Sequence, residues 1–175
     1  MTIENEAASE AVARLGLLKP EAAKTISRLL LAEMGDHPRA ICTAYRKNGV
    51  QISREEKKAL GIRVNAFLSY AAFNELSEAG KGAPLSAHET TLLRATFSVL
   101  RYRAVEKETD FRKQLGACFL GFEYDVLAAN CPTCIGLNGT IARSAKEAIF
   151  PNPSCTCVTA NYGLRPKVDW LADVS

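Results

Sequence analysis

Two close pairs of cysteines constrain this chain more than any other feature of its sequence. Cys131 and Cys134 form a Cys-x-x-Cys pair, Cys155 and Cys157 form a Cys-x-Cys pair, and twenty residues separate the pairs. Two thiolates on one tight turn can supply half of a tetrahedral zinc site, and a second pair can supply the other half. Because cysteine then fills all four positions, none is left for water. The sequence therefore predicts a structural rather than a catalytic zinc ion.

Other states of these four thiols stay open from the sequence alone. A redox pair of the thioredoxin type opens a helix in a βαβ unit, a pattern that the sequence does not show. Four thiolates can also bind an iron–sulfur cluster. Unligated or oxidised thiols are the plainest alternative. Residues 1–16 have neither a signal-peptide nor a transit-peptide pattern, so we expect a reducing compartment, where stable disulfides are rare.

The chain before residue 118 has the spacing of several amphipathic helices, including a long one predicted over residues 54–78 that opens on a Ser53–Glu56 capping box. Beyond residue 118, glycines among aromatic and β-branched residues predict a small β element, with one strand in residues 155–163. The predicted fold is mainly α: a multi-helix body over 1–117 and a β-containing zinc knuckle over 118–175. We also expect Trp170 and Leu171 to pack back on the body.

Composition and charge admit a nucleic-acid partner without requiring one. The net charge is +3, and 47% of the residues are apolar, as in an ordinary globular domain. Basic residues concentrate between positions 39 and 63, and such a group can hold phosphates. The solvated side of an amphipathic helix is the plainer interpretation. The candidate nucleic-acid-binding residues are Arg46, Lys47, Arg54, Lys57 and Lys58.

The remaining reactive side chains do not form a recognisable catalytic motif. We expect His37 and His88 on the surface, and Cys42 and Cys118 as buried core residues. No Ser-His-Asp pattern, paired-carboxylate pattern or phosphate-binding loop is evident, so we predict no catalytic residue and lean against an enzyme. No segment is apolar over the length needed to cross a bilayer. A membrane is therefore not an expected partner.

The order of the cysteine motif resembles the C-terminal cysteine motif of phage head-morphogenesis proteins, the Mu F-like minor head family. That motif combines Cys-Pro-x-Cys, a Leu-x-Gly turn and a proline-rich ending with Cys-x-Cys. Asn152 replaces a histidine that is frequent in the family, and Thr156 replaces an arginine. The matching positions are Cys131, Cys134, Leu137, Gly139, Pro153, Cys155 and Cys157.

This resemblance covers residues 131–157 alone, and it implies a virion or prophage protein that acts through assembly contacts and has a metal-stabilised knuckle. The sequence hypothesis is a non-enzymatic, zinc-stabilised assembly or interaction protein, cytoplasmic or virion-associated, with a protein partner or self-assembly. The alternative is a zinc-containing, regulatory nucleic-acid-binding protein.

Overall fold

A computed structural model describes residues 2–32, 37–126, 131–148, 152–159 and 162–172 of the chain. Within these ranges the fold is mainly helical, with a small three-stranded sheet and a cysteine cluster near the C-terminus, which confirms the predicted fold class. The chain divides into two compact units, residues 1–96 and 97–175. Whether the chain also separates functionally at 117/118 stays a prediction.

The described elements comprise nine α-helices and three β-strands, with short 3-10 turns at Pro20–Ala22 and Gly116–Cys118. None of these helices combines the length and the apolar content that a bilayer span requires. In chain order the elements are α1 (Ile3–Leu15), α2 (Ala23–Ala32), α3 (Pro38–Lys47), α4 (Arg54–Ala59), α5 (Tyr70–Asn74), α6 (Glu78–Lys81), α7 (Ala87–Glu106), α8 (Glu108–Leu115), β1 (Phe119–Val126), α9 (Pro132–Leu137), β2 (Ile141–Ala142) and β3 (Tyr162–Val168).

The N-terminal unit packs α1 against α2 through small and aliphatic side chains, because alanines on α1 let the two backbones approach closely. Ala8, Ala11 and Ile26 are fully buried at this contact region. Arg94 on α7 is also buried, and its guanidinium donates to both carboxylate oxygens of Glu10. This bidentate pair satisfies a charge that burial would otherwise penalise.

The prediction of a single long helix over residues 54–78 is wrong, because this range contains α4, α5 and the start of α6. Its Ser53–Glu56 capping box is present. The helix ends after Ala59 in a Schellman motif, in which Gly61 has a φ of 67°. The N–H of Gly61 donates to the carbonyl of Lys58, and that of Ile62 donates to the carbonyl of Lys57. Gly61 was the sequence signal for this stop.

Three antiparallel strands in the order β2-β1-β3 form the sheet of the C-terminal unit. Phe122 in β1 lies opposite both Ala142 in β2 and Pro166 in β3. Proline is tolerated in β3 because that strand lies at the edge of the described sheet, where a missing N–H interrupts no further ladder. Arg101 of α7 is buried beneath β3 and donates to the carbonyl of Tyr162.

Two local expectations for this unit are wrong. The strand expected in residues 155–163 lies further along the chain, in β3, and residues 155–159 form irregular structure. Trp170 and Leu171 do not pack on the body, because their side chains are 80% and 94% exposed.

Candidate metal centre

The first cysteine pair is placed by the start of helix α9. Cys131 is the N-cap residue, Pro132 occupies the first helical position, and Cys134 follows one turn later on the same side. Proline suits this position because its fixed φ is helical and the first turn needs no donor from it. The N–H of Cys134 donates to Sγ of Cys131 at 3.4 Å. The cap therefore holds the sulfur of Cys131 against the first turn of α9, which carries Cys134.

The second pair is placed by a turn that begins at Asn152. The side-chain oxygen of Asn152 accepts a hydrogen bond from the N–H of Ser154, and its carbonyl accepts one from Cys155. Residues 155–157 are not in a strand, so the side chains of Cys155 and Cys157 need not point to opposite faces. Thr133 joins the two turns by donating to the carbonyl of Ser154 at 3.1 Å.

The four sulfur atoms converge on one buried point. The Sγ atoms of Cys131, Cys134, Cys155 and Cys157 all lie within 4.8 Å of one another, and all four residues are buried. The Sγ atoms of Cys134 and Cys155 are 3.3 Å apart. Tetrahedral zinc with bonds of about 2.3 Å separates its sulfur ligands by about 3.8 Å. The cluster therefore has the dimensions of a site for a single metal ion.

The thiols differ in their protonation. The hydrogen bond from the N–H of Cys134 lowers the pKa of Cys131 to about 6, whereas burial raises the pKa of Cys134 above its ordinary value. Four thiolates cannot remain ionised together in so small a buried space without a cation, because like charges in a low-dielectric region repel strongly. A bound metal ion would provide that cation, and its binding would release the remaining protons.

Aromatic and small side chains enclose the cluster. Tyr124, Ala142, Ala148 and Tyr162 pack around the four cysteines and are themselves buried. The guanidinium of Arg101 lies 4.4 Å from the centre of the Tyr162 ring. This packing keeps solvent away from the sulfur atoms, as in closed structural metal sites.

The local geometry weighs against a thioredoxin-type redox pair. Cys131 does open a short helix, as redox Cys-x-x-Cys motifs do, but the three described strands pair antiparallel and form no βαβ unit. A redox Cys-x-x-Cys pair uses two thiols, whereas here two further thiols lie within 4.8 Å of them. Four close cysteines can hold a metal ion, and this is the chemistry that the arrangement supports.

The candidate nucleic-acid-binding residues differ in their exposure. Lys47, Arg54 and Lys58 are exposed, whereas Arg46 and Lys57 are buried. The Nζ atom of Lys57 donates to the carbonyl of Val64, and a terminal nitrogen of Arg46 donates to Thr43. These two side chains therefore make internal contacts, and nucleic-acid binding by the five residues stays a prediction.

The expectation for His88 is also wrong, although that for His37 is confirmed. His37 is exposed and caps α3 through Nδ1, but His88 is fully buried and lies 2.9 Å from Glu75. Glu75 also accepts hydrogen bonds from Thr25 and Tyr45. Sequence spacing gave no signal for this network, because its members come from four separate segments. Cys42 and Cys118 are buried outside the cluster, as expected.

No family model matches the chain, and searches of curated proteins and of solved structures likewise found no match. The likeness to phage head-morphogenesis proteins therefore stays a prediction based on the cysteine motif.

Proposed function

We propose that the four cysteines bind one structural zinc ion, and that this ion stabilises the C-terminal unit of a non-enzymatic assembly or interaction protein. The observation that carries the proposal is the closed set of four buried thiols, whose Sγ atoms lie within 4.8 Å of one another. With all four positions of a tetrahedron occupied by cysteine, the metal has no open position for water or substrate.

The compactness of the cluster supports zinc over an iron–sulfur cluster. In an iron–sulfur cluster some of the four cysteines bind different iron atoms with inorganic sulfide between them, so those thiolates are spread further apart than around a single ion. Here all four Sγ atoms lie within 4.8 Å of one another. A single thiophilic ion in tetrahedral geometry accounts for this spacing better.

A structural metal is useful here because the C-terminal unit has a small sheet and few elements to pack on it. One of its strands, β2, contains two residues, and the turns that carry the cysteines have little regular structure of their own. A metal joining α9 to the segment around Cys155 links the two turns in the folded state, so its binding free energy adds to the stability of the fold. We expect this part of the chain to depend on the metal for its folded state.

Exposed apolar side chains support an interaction role. In the C-terminal unit Leu100, Ile135, Val158, Trp170 and Leu171 are each more than half exposed. Isolated exposed apolar residues are ordinary, but two adjacent ones as exposed as Trp170 and Leu171 are typical of contact surfaces. The motif resemblance to phage head-associated proteins points in the same direction.

Metal content tests the proposal when two matched variants are compared with the wild-type protein. Protein purified without chelator is expected to contain about one equivalent of zinc by elemental analysis. Cys131→Ser should remove most of it, whereas Cys118→Ser alters a buried cysteine of the same unit outside the cluster and should retain it. Iron in place of zinc, or equal metal loss in both variants, would contradict the proposal.

The folding role needs a second readout on the same proteins. In the folded unit the N–H of Tyr124 donates to the carbonyl of Thr140, and that of Gly139 donates to the carbonyl of Tyr124. We expect Cys131→Ser to lose hydrogen-exchange protection at these amides while the N-terminal unit keeps its helices. Full protection in a metal-free variant would show that the metal does not stabilise the fold.

A further inference from the structure

An open groove of 730 Å³ lies beside strand β2 in the C-terminal unit. Its volume falls within the range of about 300–1,000 Å³ that is common for sites that bind small molecules. Leu120 and Ile141 expose about two fifths of their side chains to solvent, so its floor is apolar and accessible. The lining residues are Arg112, Phe119, Leu120, Gly139, Ile141 and Arg143.

Two arginines give this groove a positive rim. Arg112 is largely neutralised, because its guanidinium forms an ion pair with Glu108; its terminal nitrogen also donates to the carbonyl of Arg143. Arg143 is exposed, its backbone N–H donates to Glu147, and within the described ranges its guanidinium forms no ion pair. An occupant that fits the groove should combine large apolar side chains with at least one carboxylate.

The segment that follows β3 in the same chain has this composition. It reads Asp-Trp-Leu-Ala-Asp over residues 169–173. Trp170 and Leu171 are the two most exposed large apolar side chains of the described residues. Asp169 bonds the N–H of Leu171 and keeps the two side chains on a short turn. We refer to residues 169–172 as the tail turn.

The tail turn is bonded to Cys118 and does not line the groove. The N–H of Asp169 donates to the carbonyl of Cys118, and the thiol of Cys118 donates to the carbonyl of Ala172. Residue 118 directly precedes Phe119, which lines the groove. When an apolar segment and a matching groove adjoin on one copy, two copies related by a two-fold axis can exchange them, and the interface closes on itself.

We propose that the chain forms a two-fold dimer in which the tail turn of each copy occupies the groove of the other copy. Trp170 and Leu171 cover the apolar floor, and the carboxylate of Asp169 faces the positive rim. This inference rests on the proposed interaction role and names the partner as a second copy of the chain. The partner's chemistry follows from complementarity of charge and apolar surface between the tail turn and the groove.

The chain has one tryptophan, so fluorescence excited at a wavelength that tyrosine does not absorb reports on the tail turn alone. We expect the full-length, metal-loaded protein to form dimers in sedimentation velocity as its concentration is raised. Over the same concentration range, the emission of Trp170 should shift to shorter wavelength as the indole leaves water. A protein that stays monomeric throughout would overturn the proposal, whether or not its emission shows that the tail turn lies in its own groove.

Variants of the tail turn and of the groove locate the interface. Trp170→Ala and, in the groove, Ile141→Asp should each raise the dimer dissociation constant at least tenfold, since central apolar anchors dominate interface energy. Arg143→Glu changes an exposed residue and tests the groove without disturbing the sheet. Val50→Ala removes an exposed apolar side chain of the N-terminal unit as the matched control and should change nothing. A dimer weakened by Trp170→Ala but by neither groove variant would overturn the pairing.

Mixing the two classes of variant gives the most specific result. The Trp170→Ala protein keeps its groove and the Arg143→Glu protein keeps its tail turn, so the mixture can form one of the two contacts. We expect heterodimers in the mixture at concentrations where each variant alone is monomeric. Their absence would overturn the exchange. A zinc-loaded monomer would refute this inference and leave the metal proposal standing. A metal-free dimer would refute the metal proposal and leave this inference standing.

Discussion

Gly121→Ala is expected to disrupt the small sheet of the C-terminal unit. Gly121 has a φ of 127°, and a Cβ atom at this position would lie 2.2 Å from the carbonyl oxygen of Ala142 and 2.8 Å from the Cα of Arg143. Both contacts are to backbone, so neither can be relieved by rotating a side chain. The chain must therefore move β2 away from β1.

The cost can be worked from two contributions. A positive φ costs a residue with a Cβ atom about 1–2 kcal/mol, and overpacking in a well-packed region costs about 1–3 kcal/mol. Together they predict a loss of about 2–5 kcal/mol for Gly121→Ala. Gly139→Ala is the matched control, since Gly139 has a φ of 73° but no atom within 4 Å of the added Cβ. We expect about 1–2 kcal/mol there.

The free energy of opening of the C-terminal unit can be measured from hydrogen exchange at the β1 amides, including the N–H of Tyr124 that bonds Thr140. Both variants should be compared with the wild-type protein at the same metal content. If Gly121→Ala loses no more stability than Gly139→Ala, the result would contradict the close approach of β1 and β2 at Gly121.

Two further predictions concern the N-terminal unit. Burial alone would raise the pKa of Glu75, but hydrogen bonds from His88, Thr25 and Tyr45 outweigh it and leave the pKa below its ordinary value of 4.5. This carboxylate therefore stabilises the fold above pH 4.5, and the contribution is lost as the pH falls through the lowered pKa. In urea titrations below pH 4.5, the free energy of unfolding should fall more steeply with decreasing pH in the wild type than in Glu75→Gln. Lys57→Met should destabilise the unit by about 1.5–3 kcal/mol, because it leaves the Val64 carbonyl without its charged donor. Lys58→Met, at an exposed position of the same helix, should change stability by less than about 0.5 kcal/mol in thermal denaturation; equal effects would contradict the different burial of the two lysines.

The cysteine spacing was sufficient to predict which residues form the candidate site, because each close pair can supply two of four ligands. The two pairs meet when the chain between them returns to the same place. The Ser53–Glu56 capping box likewise predicted where a helix begins, since Ser53 is the N-cap residue of α4. These signals are local, and residues a few positions apart contain them completely.

Features that depend on distant residues were not predictable in this way. His88 is buried because Glu75 and Tyr45 come to it from other segments, and no spacing along the chain reveals that meeting. The N–H of Leu68 donates to the side-chain oxygen of Gln51 instead of to a helical carbonyl, and the carbonyl of Leu68 accepts from the N–H of Ile52. Trp170 was expected to pack on the body because its side chain is large and apolar. The sequence does not show whether such a side chain packs within its own chain or against another copy.

X-ray absorption at the zinc edge, on protein purified without chelator, tests the central claim most directly. We expect about one zinc per chain with four sulfur ligands at about 2.3 Å. Loss of the sulfur shell in Cys155→Ser, but not in Cys42→Ser, would assign those ligands to the cluster. A protein with less than half an equivalent of zinc and no iron would contradict the claim that Cys131, Cys134, Cys155 and Cys157 form a metal site.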